Sequence, residues 1–139
     1  MIGRPIDGDL VLDQSWFARE VGEAGDFDNQ PLRAYNVLPH ALLVNFQAVN
    51  FRFIPQPADN RVQIIADALP ANVEIENRVL LAEGACRGWT RRLDMKVRHD
   101  KDRTRVTFSG SYDAGCGSNE LFRVVSEPAP YILGLFRAL

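Results

Sequence analysis

Two histidines, two cysteines and a cluster of arginines are the side chains through which this 139-residue chain could do chemistry. His40 follows Pro39 inside residues 34–51, the longest stretch without Asp, Glu, Lys or Arg. An imidazole that titrates near neutrality is a candidate general base in such a segment. The competing reading is a histidine that only satisfies its own hydrogen bonds.

A second candidate set comes from strand register. Leu93, Met95 and Val97 alternate with charged residues, and Val106 and Phe108 do the same after a turn, which is the pattern of a hairpin with one dry face and one wet face. Closing it about Lys101 and Asp102 sets Val97 opposite Val106 and Met95 opposite Phe108. The same register continues through Leu93 opposite Gly110 to Arg91 opposite Tyr112, with Trp89 beyond. An arginine that points inward needs a counter-charge or an anionic ligand. Glu83 is a possible internal partner, and Asn77, opposite Ile64, is a further inward polar group. The expected site therefore uses His40 and Tyr112 as acid/base residues and Trp89, Arg91, Asn77 and Glu83 as substrate contacts. The alternative is that Arg91 and Glu83 merely pair with each other.

Other candidates carry less. Cys116 lies in Ala114-Gly115-Cys116-Gly117-Ser118, where flanking glycines could let backbone N–H groups converge beside a thiol, although no histidine is near in sequence. Cys86 reads as a small packed residue. Two cysteines are too few for a disulfide scaffold, so both are expected reduced. Asp26 and Asp28 sit among Gly25, Asn29 and Pro31, where turn formation competes with a paired-carboxylate role.

Several chemistries are excluded by missing residues. There is no G-x-x-x-x-G-K-[ST], G-x-G-x-x-G or G-x-S-x-G. With His40 and His99 far apart and no C-x-x-C, neither a metal nor a cofactor is expected. The formal net charge of -2 gives no global attraction to nucleic acid. Basic residues nevertheless cluster from Arg87 to Arg105, where eight of them face only Asp94, Asp100 and Asp102. Residues 34–51 do not read as a membrane span, because Asn36, Pro39, His40, Asn45, Gln47 and Asn50 would each be costly in hydrocarbon. Residues 1–10 lack the apolar core of a secretory signal, and the expected location is cytoplasmic.

The elements that must position these residues are mostly strands. Leu10 to Leu12 reads as a short strand, and a helix-like stretch follows Asp13 up to Gly22. Residues 41–54 fit helical spacing at first and strand alternation later, with a strand ending before Pro55. Strands follow at 61–68 and 73–81, then the hairpin, then two short strands at 120–126 and 131–139. The expected fold is one globular domain over 1–139: mainly β, an antiparallel β-barrel or cupped β-sandwich of about seven or eight strands with one or two short helices. Lipocalin-like and cyclase-type barrels share that strand count, an analogy of architecture that assigns no function.

The function expected on this basis is binding of a mostly apolar small molecule with an oxygen-bearing or anionic head. As an enzyme it would be a cofactor-independent isomerase, cyclase or dehydratase. The alternative is a non-enzymatic interaction module whose Arg-rich hairpin face (Arg92, Lys96, Arg98, Arg103, Arg105) docks an acidic partner or a second copy, giving a homo-oligomer. Neither reading involves nucleic acid or a membrane.

Overall fold

A computed structural model describes residues 7–18 and 22–139. It is mainly β and cupped, with six strands: β1 Ala48–Gln56, β2 Arg61–Asp67, β3 Val73–Ala82, β4 Leu93–Asp100, β5 Arg103–Asp113 and β6 Asn119–Val124. Among the described residues one α-helix, α1, spans Pro128–Ala138. The strands form a single sheet in the order β4-β5-β3-β2-β1-β6.

The hairpin has the expected register. Met95 pairs with Phe108, Val97 with Val106 and Leu93 with Gly110. The buried alternation fixes this pairing, because a slip of one residue would bring arginines onto the apolar face. Arg98 and Arg105 face each other on the wet side, where Arg105 finds Glu74 at 3.6 Å.

The sheet is not wholly antiparallel. β3 runs parallel to β5 from Val73↔Thr104 to Ala82↔Asp113, with β4 placed outside β5. Side chains alternate with period two in either direction, so the pattern alone could not distinguish the two. β2 and β3 meet at one ladder pair, Arg61↔Leu80. Beyond it Asn77 bridges the splayed strands, its Nδ2 donating to Val62 O (2.7 Å) and its Oδ1 accepting from Val79 N (3.0 Å).

The concave face holds the core. Val49, Phe51 and Phe53 from β1 meet Val106, Phe108 and Tyr112 from β5, all without solvent contact. Phe51 and Phe53 approach Phe108 edge-on at ring distances of 4.9 and 5.2 Å. Each fully buried phenylalanine contributes about 2–3 kcal/mol by removal from water.

Three sequence expectations need correction. The strand expected at 131–139 is replaced by α1, which runs to Ala138: Pro128 and Pro130 suit a first helical turn, and Pro128, Tyr131 and Gly134 recur on one buried face. Tyr131 is fully buried and donates to Ala48 O (3.1 Å), which ties α1 to the start of β1. Leu10–Leu12 is not a strand, and no helix forms over the described residues 13–18, where Asp13 accepts from Ser15 N in a local turn (2.8 Å). The rest of that expected helix lies outside the described residues. Finally, β1 runs through Pro55, which is tolerated because β6 reaches only as far as Phe53 and leaves that end of β1 without a partner on one side.

Candidate functional site

Most of the candidate residues fall at one corner, where the β3–β4 connection meets the chain leaving β5. Cys86 and Cys116 form a disulfide across it. This corrects the expectation of reduced thiols: cysteines thirty residues apart are brought together because β3 and β5 run side by side, and the sequence did not reveal that pairing. Gly115 N donates to Gly84 O (3.0 Å), and a side chain at Gly115 would collide with that carbonyl. Asp113, 2% exposed, accepts from Arg87 N (3.3 Å) and pairs with Arg92 Nη1 at 2.5 Å.

Tyr112 and Trp89 meet here at a ring distance of 5.8 Å, and Trp89 also packs on Phe53 at 5.6 Å. The Tyr112 hydroxyl donates to Gly117 O (2.7 Å) and accepts from Asn119 Nδ2 (2.6 Å), which also reaches Cys116 O (3.0 Å). Burial pushes its pKa up. Its one proton is thus committed to the loop, so this phenol closes the corner and has no free donor for a substrate.

Arg91 is not where strand register places it. The ladder stops at Leu93↔Gly110, and Trp89–Arg91 form a 3-10 turn that leaves Arg91 exposed. Gly110, at positive φ and too close to Arg92 O for a side chain, marks the end of the β4–β5 pairing. Glu83 is exposed and makes no ion pair with Arg91 among the described residues. The ion pair at this corner is Arg92–Asp113, in which the carboxylate is buried and the guanidinium is partly hydrated. Arg92 is expected on the wet face of the hairpin; its guanidinium instead reaches Asp113, two residues beyond Ser111, whose N donates to Arg92 O (3.1 Å). Asn77 lies outside the corner, spent on the β2–β3 seam.

His40 lies elsewhere, on a cleft of roughly 960 Å³ between the segment preceding β1 and the β6–α1 junction. Leu32, Leu38, Val124 and Val125 supply apolar wall, while His40, His99, Ser126 and Glu127 supply polar groups. His40 Nδ1 accepts from Leu42 N (3.0 Å), so the neutral ring carries its proton on Nε2. Ser126 is buried and its Oγ has no hydrogen-bond partner among the described residues. Among the described residues no three His, Cys, Asp or Glu side chains converge as a metal site.

Residues 3–138 match the family model of the D-Ala-D-Ala carboxypeptidase 3 (S13) family. The chain belongs to that family. This overturns the expected isomerase, cyclase or dehydratase, because the family is one of peptidases, and neither that reading nor its Arg-rich alternative is carried further. The fold of the S13 chain is similar to that of penicillin binding protein 4 from Haemophilus influenzae, with a TM-score of 0.61 at 16% identity. That likeness covers 91% of this chain and 27% of the longer protein. No curated protein sequence matches the chain. Penicillin-binding proteins acylate a serine within S-x-x-K, aided by S-D-N and K-T-G. None of these three motifs occurs in the S13 chain.

Proposed function

We propose that this S13 chain is a non-catalytic part of a D-Ala-D-Ala carboxypeptidase that works on cell-wall peptide outside the cytoplasm. The observation that carries this reading is the family match over residues 3–138 in a sequence without any of the three acylation motifs. Peptide hydrolysis by this class of enzyme needs a serine with an adjacent base. Ser126, the buried serine at the cleft, has no hydrogen-bond partner among the described residues. The Cys86–Cys116 bridge supports an oxidising compartment, because structural disulfides persist outside the cytosol. Its two roles in such a protein are to hold the corner rigid and to present surface to wall peptide or to neighbouring parts of the enzyme.

The test has two arms. Purified, disulfide-intact chain is incubated with a fluorescent penicillin and with a peptide ending in D-Ala-D-Ala; the expected result is no covalent label and no release of D-alanine above blank. Label or release would overturn the non-catalytic assignment. The same protein is then sedimented with purified bacterial sacculi, where co-sedimentation is expected and its absence would overturn the cell-wall assignment.

A further inference from the structure

Arg123 occupies a position where an uncompensated cation is costly. In β6 it pairs with Val49, which has no solvent contact, and cross-strand partners point to the same side of a sheet. Arg123 is therefore on the core side of an edge strand, half-buried. Its Nη1 donates to Phe122 O (2.8 Å), and no carboxylate among the described residues lies within ion-pair distance.

A second arginine is brought onto the neighbouring segment. Val124 N donates to Leu32 O (2.9 Å), which ties the segment before β1 onto the β6 edge and sets Arg33 and Arg123 each one residue from the same hydrogen bond. Arg33 Nε donates to Gln30 Oε1 (2.8 Å), and it too is in no ion pair among the described residues. Asp28, the carboxylate that senses Arg33, is already engaged by the Tyr35 hydroxyl (2.7 Å), Asn36 Nδ2 (2.7 Å) and Gln30 N (2.9 Å). Desolvation, and then repulsion from Arg33, push the Arg123 pKa below its ordinary value. Two guanidiniums held together this way are relieved by an oxyanion that accepts hydrogen bonds from both.

We propose that Arg33 and Arg123 form an oxyanion-binding site at the β6 edge, which takes the carboxylate of a peptide or a phosphate group. This follows from charge and register and does not depend on the peptidase reading. The sacculus experiment can succeed or fail without deciding it.

The test is calorimetric titration of wild type, Arg33→Met, Arg123→Met and Arg98→Met with N-acetyl-D-Ala-D-Ala, its C-terminal amide and inorganic phosphate. Either the free acid or phosphate should bind, with about a tenfold loss of affinity in Arg33→Met and in Arg123→Met and none in Arg98→Met, the exposed hairpin control. Binding of the acid but not the amide identifies a peptide carboxylate, and stronger binding of phosphate identifies a phosphate ligand. Melting curves provide a second readout: removal of a half-buried unpaired charge should leave free Arg123→Met at least as stable as wild type. Absence of binding by both anions, undiminished binding in Arg123→Met, or equal loss in Arg98→Met would overturn the site. So would a destabilised Arg123→Met that binds neither anion, because that result assigns Arg123 to packing.

Discussion

Breaking the Cys86–Cys116 bridge should cost most of its effect in the unfolded chain. The two cysteines are separated by 30 residues, and for a loop of that length the chain-entropy relation gives about 3.6 kcal/mol at 25 °C. The folded corner has other ties, Gly115 N to Gly84 O, Arg87 N to Asp113 and the Arg92–Asp113 pair, so the native geometry should survive without the bridge. With an unfolding entropy of about 2.1 cal/mol/K per residue, a loss of that size lowers Tm by roughly 12 °C in a chain this long. In urea, at a slope of about 2 kcal/mol/M, the midpoint should fall by just under about 2 M. The assay compares the oxidised protein, the same protein under reductant and the Cys86→Ser/Cys116→Ser variant, each followed by circular dichroism. The last two should coincide and keep the native spectrum. A shift equivalent to less than about 1 kcal/mol would refute the loop-closure reasoning. Two titratable thiols in unreduced, unfolded protein would refute the bridge itself.

Asp113→Ala should destabilise the protein by about 2 kcal/mol in urea melts, because Arg92 and Arg87 N lose their shared acceptor while Arg92 remains partly hydrated; an unchanged midpoint would mean that the pair contributes nothing. Tyr112→Phe should cost about 1–2 kcal/mol by leaving Gly117 O and Asn119 without their partner. Burial raises the Tyr112 pKa above its unfolded value of 10.0, so the associated stability is complete below about pH 10 and is lost as pH rises through the folded pKa. Melting temperatures taken from pH 8 to 11 should therefore fall more steeply for wild type than for Tyr112→Phe, and parallel curves would contradict that linkage.

The features of the S13 chain that its own residues explain are a rigid corner closed by a disulfide, a phenol and an ion pair, and Arg123 on the edge strand with Arg33 on the adjoining segment, neither of them in an ion pair among the described residues. The cleft at His40 combines apolar wall with a hydroxyl that lacks a partner among the described residues. These are binding and positioning features, and hydrolysis needs an activated nucleophile in addition.

Local alternation by itself determined the mainly β class and the hairpin register, since one dry face in Leu93–Val97 and Val106–Phe108 permits only Met95↔Phe108 and Val97↔Val106. It also led to the rule that an inward arginine must find an anion, but attached that rule to Arg91. There the strand had already ended in a 3-10 turn, and Arg123 on β6 is the residue that meets the condition. Only the tertiary structure decided that β3 lies parallel to β5, because period-two patterning is blind to strand direction. That one long-range choice brings Cys86 to Cys116, while the end of the β4–β5 hairpin brings Arg92 to Asp113. The same holds for α1, where Pro128, Tyr131 and Gly134 face the core at helical spacing in a stretch short enough to read as a strand. Contacts between segments far apart in the chain leave no periodic trace in either segment, so the corner became visible only when the strands were set side by side.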